Sequence, residues 1–103
     1  MAGRVSRVFD EYLLLAIRGG DRRAFDALAR RWQPKLLAHA WRLLGDREAA
    51  RDAVQEGWIE IARGLGGLRD DRAFPAWAFR IVSRRCAGAI GGAVRDRRLA
   101  SEL

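Results

Sequence analysis

The chain has 103 residues, of which 50% are hydrophobic and 32% charged, a combination typical of one folded domain rather than a disordered segment. A single histidine and a single cysteine provide neither an internal disulfide nor a cluster of zinc or iron ligands, so we expect no cofactor. The lone cysteine favours a reducing, cytoplasmic setting. No stretch approaches the roughly 20 apolar residues of a membrane span and no signal peptide is apparent, so we expect no membrane partner.

The charge of the chain is strongly positive. There are 20 basic and 13 acidic residues, which give a net charge of +7, and every basic residue except Lys35 is an arginine. Arginine binds phosphates and bases through its planar fork, and this favours a polyanionic partner. An excess of arginine also arises in proteins from GC-rich genomes, so the distribution of the charge along the chain has to decide between the two interpretations.

The sequence predicts an all-α fold, a compact bundle of about four helices, because alanine, leucine and arginine dominate while β-branched residues are scarce. The first helix is predicted from Phe9 to Arg18, before two glycines that end it. Asp21 is suited to cap a second helix that continues to Gly45, with a kink or a break at Pro34.

Asp46 is predicted to cap a third helix, in which apolar residues recur every three or four positions until a glycine-rich stretch. A polar loop over residues 66–73 comes next. The fourth helix is predicted to begin near Asp71 or Arg72 and to carry Pro75 in its first turn.

The end of the chain lacks an apolar stripe. Beyond Cys86, three glycines, each costing about 1 kcal/mol relative to alanine inside a helix, predict that the fourth helix frays. We expect the domain to comprise residues 1–98, with residues 99–103 forming the start of a linker or a frayed C-terminus.

The third predicted helix carries an acidic face. Residues 46–65 have a net charge of −2, whereas residues 1–45 carry +5 and residues 66–103 carry +4. Asp52, Glu56 and Glu60 follow one another at four-residue spacing, with Gln55 and Ile59 beside them. Like charges at this spacing repel by a few tenths of a kcal/mol per pair, which favours a basic protein partner. The alternative is an acidic face that is merely solvated.

A second, basic surface is predicted on the opposite side, from the fourth helix and the loop before it. Arg80 and Arg84 are four residues apart, Arg85 is adjacent, and the loop carries Arg69 and Arg72. Arginines grouped in this way are typical of phosphate contacts to a nucleic acid. Simple solvation of the helix exterior is the alternative.

The four tryptophans lie at helical spacing among apolar neighbours. This pattern favours core packing for Trp32, Trp41 and Trp58. Trp77 is close in sequence to Phe74 and is predicted either to pack in the core or to act as a platform on which a base stacks.

Three stretches between Gly20 and Arg85 carry a resemblance to a known family. They are Gly20-Asp21, Ala24-Phe25, Leu28, Trp32, Pro34 and Leu36; then Asp46 to Glu56 followed by Trp58; then Phe74, Trp77, Phe79, Arg80 and Ile81. Their order resembles the "GD..AF..L", "A.D..QE.F" and "F..WL..I" signatures of region 2 in the sigma-70 family of transcription initiation factors. The extracytoplasmic-function (ECF) group is the most similar.

The resemblance implies a function for each charged surface. The "D..QE" helix would dock on the clamp helices of the RNA polymerase beta-prime subunit, through Asp52, Gln55, Glu56 and Glu60, with Ile59 beside them. The loop before Trp77 and the start of the fourth helix would open the promoter duplex and capture bases of the minus ten element on the non-template strand. Relatives of this kind are often held by an anti-sigma protein, which is a further possible partner.

Two departures from the family pattern are visible in the sequence. Members of the family usually carry Asn and Asp on the fourth helix, where this chain has Arg84 and Gly88. The second helical domain of the family, region 4, which reads the minus thirty-five element, has no counterpart in these 103 residues.

Three other classes of protein compete with this interpretation. An enzyme would need a nucleophile with a base, or metal ligands, and His39 and Cys86 are 47 positions apart, so we do not expect one. A helix-turn-helix binder of duplex DNA fits poorly with the acidic third helix. A helical interaction module, or a degenerate sigma-like regulator that binds polymerase without reading a promoter, remains the main alternative.

Overall fold

The computed structural model describes residues 2–102, which form four α-helices and two short 3-10 turns. The helices are α1 (Ala2–Arg18), α2 (Arg22–Leu44), α3 (Arg47–Gly64) and α4 (Phe74–Glu102). The 3-10 turns, Leu65–Gly67 and Asp71–Ala73, lie between α3 and α4. The predicted all-α fold is confirmed, and no strand occurs among residues 2–102.

Both aspartates that were predicted to cap helices do so. The side chain of Asp21 accepts hydrogen bonds from the backbone N–H groups of Arg23 and Ala24 at the start of α2. Asp46 accepts from the backbone of Glu48 and Ala49, at 2.9 and 3.2 Å, at the start of α3. Each cap typically contributes about 1 kcal/mol.

Gly45 allows α2 and α3 to follow each other directly. It closes α2 with φ 66°, and its N–H donates to the carbonyl oxygen of Trp41 at 2.8 Å. A side chain would be strained in this left-handed conformation, which explains the glycine.

Helices α1 and α2 each differ from the sequence prediction in one respect. Helix α1 begins at Ala2 rather than Phe9. The prediction missed its first residues because their apolar side chains, among them Val5 and Val8, are exposed and do not belong to the inward stripe. Helix α2 has the predicted extent, and it passes through Pro34 without a break. Buried Trp32 and Leu36 on either side of the proline anchor the helix to the core and offset the lost hydrogen bond.

Helix α4 differs from the prediction at both ends. It begins at Phe74, since residues 71–73 form a 3-10 turn, and it continues through the glycines to Glu102, so the predicted fraying beyond Cys86 is wrong. Alanine and arginine, both strong helix formers, outnumber the glycines in this segment. The predicted boundary after residue 98 falls inside α4, and as a domain boundary it stays a prediction; Leu103 lies outside the described residues.

All four α-helices contribute to the core; α1 packs on α2 and buries Leu13 and Leu14. The fully buried side chains of the core include Leu28, Leu36, Ile61, Phe74 and Ile81. Burial of a large apolar side chain is worth about 1.5–3 kcal/mol, so these contacts dominate the stability of the fold. Among residues 2–102, no helix is long and apolar enough to cross a membrane.

Three tryptophans were predicted to lie in the core, and the structure separates them. Trp32 is buried, and Trp58 is half-buried with its Nε1 donating to Oε1 of Gln33 at 2.5 Å. Trp41 is 45% exposed and packs beside the guanidinium of Arg47, so its predicted core position is wrong. Trp41 shares the helical spacing of its neighbours, but it lies at the edge of the face that α3 covers.

Two glycines allow α3 and α4 to approach closely. A Cβ atom on Gly57 would lie 3.0 Å from Cγ2 of Val82, and one on Gly64 would lie 3.0 Å from Cζ2 of Trp77. Contacts this short would force the neighbouring side chain to move. The close approach brings the charged side chains at the rims of α3 and α4 within reach of one another.

Candidate polymerase and nucleic-acid interfaces

The outer face of α3 exposes most of the residues predicted to bind polymerase. Asp52, Gln55 and Glu56 are exposed, and Ile59 is 49% exposed although it is apolar. The buried residues of α3, such as Val54 and Ile61, point the other way into the core. This face therefore combines acidic and amide groups with one apolar contact.

Glu60 belongs to a different environment from the rest of this face. Its Oε2 accepts a hydrogen bond from Nη2 of Arg84 at 2.8 Å, and its Oε1 accepts from Nε of Arg85 at 3.1 Å. Nη2 of Arg85 lies 2.9 Å from the same Oε1, and Nη1 of Arg85 lies 3.8 Å from Oε2 of Glu56. Both carboxylate oxygens of Glu60 are thus engaged by α4.

The predicted acidic and basic surfaces are not opposite. They meet along an open groove between α3 and α4, with a volume of about 590 Å³. The groove is lined by acidic and basic rims over a floor of small residues: Ala49, Asp52, Ala53, Glu56, Glu60, Arg84, Arg85, Gly88 and Ala89. The prediction of separate faces was wrong because α3 and α4 pack closely against each other at Gly57. Residue spacing within one helix does not show how closely a second helix packs against it.

The basic residues predicted to bind DNA are all accessible. Arg69, Arg72 and Arg80 are exposed, and the side chains of Arg84 and Arg85 are 63% and 43% exposed. Arg80 makes no ion pair within residues 2–102, in contrast to Arg84 and Arg85. Arg72 is paired within its own loop, with its Nε 3.3 Å from Oδ1 of Asp70, whereas Arg84 and Arg85 are held by acidic residues of α3.

The loop between α3 and α4 is fixed by a residue from α1. Nη2 of Arg18 donates to the carbonyl oxygen of Leu68 at 2.9 Å, and Nη1 of Arg18 lies 2.5 Å from Oδ1 of Asp71. Asp70 caps the second 3-10 turn by accepting from the backbone N–H of Arg72 at 3.0 Å. This backbone hydrogen bond, together with the guanidinium of Arg72, lowers the pKa of Asp70.

Trp77 is half-buried at the end of the loop. Its ring covers Gly64 at the end of α3 and lies 6.2 Å from the ring of Phe74, centre to centre. The side chain packs against the core, which agrees with the core alternative, and it is only partly buried. The stacking of a base on Trp77 stays a prediction.

Sequence reasoning missed the contacts that join different helices. Arg18 was treated only as the end of the first helix, and the partners of Glu60 were not foreseen. Another missed contact joins Nε2 of His39 on α2 to Oγ of Ser83 on α4, at 2.7 Å. The available signal was the presence of opposite charges on consecutive helices, but it does not specify which charges meet.

Metal-ligating and nucleophilic groups are sparse in the described part of the chain. No group of three or more His, Cys, Asp or Glu residues within it could hold a metal ion. The lone Cys86 is buried in the core, and this burial raises the pKa of its thiol. The candidate site consists of the charged residues along the α3–α4 groove and in the loop that precedes α4.

The chain is matched by the family model for sigma-70 region 2 over residues 28–95. This range contains α3, the loop, most of α2 and most of α4. The chain therefore belongs to the sigma-70 region 2 family.

Its relatives point to the ECF group within that family. The chain is similar to the RNA polymerase sigma-H factor of Pseudomonas aeruginosa, with 40% identity over 73 residues that cover 71% of this chain and 38% of the relative. It is 40% identical over 77 residues to the ECF RNA polymerase sigma factor SigM of Mycobacterium tuberculosis, covering 75% and 39% of the two chains. With the ECF RNA polymerase sigma-E factor of Escherichia coli it shares 35% identity over 73 residues, which cover 71% and 38%. The chain thus spans less than half the length of these relatives.

Proposed function

We propose that this domain acts in transcription initiation as the part of a sigma factor that binds RNA polymerase and reads the minus ten promoter element. The exposed face of α3 docks on the beta-prime clamp helices, and the loop with the first half of α4 captures the non-template strand. The function is one of binding, without catalysis. The observation that carries the proposal is that the family motif of α3 coincides with an exposed row, Asp52, Gln55 and Glu56, while Val54 and Ile61 of the same helix are buried.

Asp52 supports the docking half of the proposal. It is exposed, it makes no ion pair among residues 2–102, and it lines the rim of the groove. An exposed carboxylate of this kind is available to a basic partner without breaking an internal contact.

The experiment for docking measures binding of a beta-prime clamp-helix fragment to this chain by calorimetry. The substitution Asp52→Arg is expected to weaken binding by at least about tenfold, because it places like charges at the interface. Asp26→Arg, the same charge reversal at an exposed position of α2, is the control and is expected to leave binding nearly unchanged. Equal affinities for wild type and Asp52→Arg would contradict the docking assignment.

The experiment for DNA binding uses a single-stranded oligonucleotide of the minus ten non-template strand. Arg80→Ala is expected to weaken binding of this oligonucleotide about threefold to tenfold. The slope of log K against log salt concentration should fall by the equivalent of about one phosphate contact. Fluorescence anisotropy at several salt concentrations gives both quantities. An unchanged affinity and salt slope would exclude Arg80 from the DNA face.

A polymerase-binding module without promoter recognition is the second candidate. It is favoured by one observation: Arg84 and Arg85, on the helix expected to read DNA, are engaged by Glu60 instead of being free. This candidate predicts that Asp52→Arg abolishes clamp binding while no arginine substitution on α4 affects the binding of single-stranded DNA.

A further inference from the structure

We propose that Glu60 is a masking residue of the DNA face and not a polymerase contact. In the free domain its carboxylate binds the guanidinium groups of Arg84 and Arg85, which would otherwise be available to a phosphate. The inference rests on the proposed function, since it assumes that the arginines of α4 meet DNA. It gives Glu60 a role in specificity, because it lowers the affinity of these arginines for any polyanion.

The geometry of the three side chains supports this assignment. One oxygen of Glu60 is bound by Arg84 at 2.8 Å and the other by Arg85, whose Nε and Nη2 lie 3.1 and 2.9 Å away. Arginine offers a planar fork to carboxylates and phosphates alike. A phosphate that binds Nε and Nη2 of Arg85 must therefore displace the carboxylate, and one that binds Nη2 of Arg84 competes with it for the same donor.

The exposure of the groups shows that such an exchange is possible. The side chains of Arg84 and Arg85 are 63% and 43% exposed, so a strand can approach them from solvent. Ion pairs in water contribute little stability, because screening and side-chain entropy offset the attraction. The mask therefore lowers the affinity for a polyanion by a modest factor, and a strand that makes further contacts can displace it.

The same contacts separate Glu60 from the polymerase face. Both of its oxygens already accept hydrogen bonds, and its side chain is 31% exposed, compared with 58% for Glu56. A basic residue of the polymerase would have to break contacts at Glu60 that it would not have to break at Asp52. The docking surface is therefore reduced to Asp52, Gln55, Glu56 and Ile59.

The experiment compares Glu60→Gln with wild type in binding a mixed-sequence single strand of about 16 nucleotides, the upper range of a compact binding site. The substitution is expected to raise affinity about threefold to tenfold, since it removes two surface ion pairs that compete with phosphate. The slope of log K against log salt concentration is expected to steepen by up to about 0.7 for each arginine that then contacts a phosphate, because each such contact releases counterions from the strand.

Two further variants separate the effect of the Glu60 ion pairs from the effect of net charge. Asp26→Asn changes the net charge equally at an exposed site on α2 and is expected to leave affinity almost unchanged. In the Glu60→Gln background, Arg84→Ala is expected to remove a large part of the gain, as a double-mutant cycle would show for coupled residues. Equal gains from Asp26→Asn and Glu60→Gln would overturn the proposal, since net charge alone would then explain the effect.

Binding of the clamp-helix fragment provides the second readout. Glu60→Gln is expected to bind the fragment as wild type does, and a loss comparable to that of Asp52→Arg would overturn the proposal. If Glu60→Gln leaves DNA affinity unchanged while Arg80→Ala weakens it, the masking role is wrong and the DNA face stands. If neither Arg80→Ala nor Arg84→Ala changes DNA binding, the proposed function itself is wrong.

Discussion

Among residues 2–102, two sets of ion pairs join neighbouring α-helices, and they differ in exposure. Between α1 and α2, Nε of Arg31 lies 2.7 Å from Oδ1 of Asp10, and their side chains are 29% and 9% exposed. Between α3 and α4, Glu60 and Arg84 lie 2.8 Å apart with exposures of 31% and 63%. The contact distances are nearly equal, so the two sets differ mainly in solvent access. We infer that the buried pair stabilises the fold and that the exposed pairs can be replaced by contacts to a partner.

The buried set is reinforced by further contacts. Nη2 of Arg31 donates to Oγ and to the backbone oxygen of Ser6, at 2.6 and 3.1 Å, and the guanidinium lies 4.8 Å from the centre of the Phe9 ring. Removing one member would leave the others desolvated and unpaired, which is costly. In the exposed set, water replaces a lost partner at little cost.

The largest expected effect on stability is that of Asp10→Ala. It leaves the half-buried guanidinium of Arg31 without its carboxylate, and we expect a loss of about 2–3 kcal/mol in the free energy of unfolding. Urea denaturation followed by tryptophan fluorescence measures this loss. A loss below about 0.5 kcal/mol would show that the pair resembles an ordinary surface ion pair.

A smaller effect is expected for Arg31→Lys. The charge is kept, but a lysine cannot reach Asp10 and Ser6 together through one planar fork, so we expect a loss of about 1 kcal/mol. The same denaturation experiment applies. If the lysine variant is as unstable as Asp10→Ala, the shape of the guanidinium matters more than the charge pair.

The smallest effect is expected for Glu60→Gln. Because its partners are largely exposed, the free energy of unfolding should change by less than about 1 kcal/mol, and high salt should reduce the difference further. Thermal melts of wild type and variant at low and high salt provide the measurement. A destabilisation that matches Asp10→Ala would remove the distinction between the two sets.

The elements of the fold were largely predictable because they depend on local sequence. Asp21, Asp46 and Gly45 act within a few residues of their own positions, and the apolar spacing of α3 specifies its buried face. The extension of α4 was not predictable from its glycines alone, since helix propensity is a weak guide when flanking residues compensate.

The candidate site was predictable only in part. Asp52, Gln55 and Ile59 are exposed on α3, as their spacing indicated. The pairing of Glu60 with α4 depends on how closely two helices pack, and Gly57 makes that approach possible through a contact that is distant in sequence. Spacing within one helix specifies which residues share a face, but it does not specify what the next helix brings to that face.

Arg18 has a consequence for how the domain can be shortened. The family match begins at residue 28, so α1 lies outside it, yet Arg18 on α1 holds the carbonyl oxygen of Leu68 and the carboxylate of Asp71. A chain trimmed to the matched range would retain every residue of the loop and lose the arginine that anchors it. Helix α1 thus stabilises the loop that precedes α4 from outside the matched range, and shortened versions of the domain need to retain it.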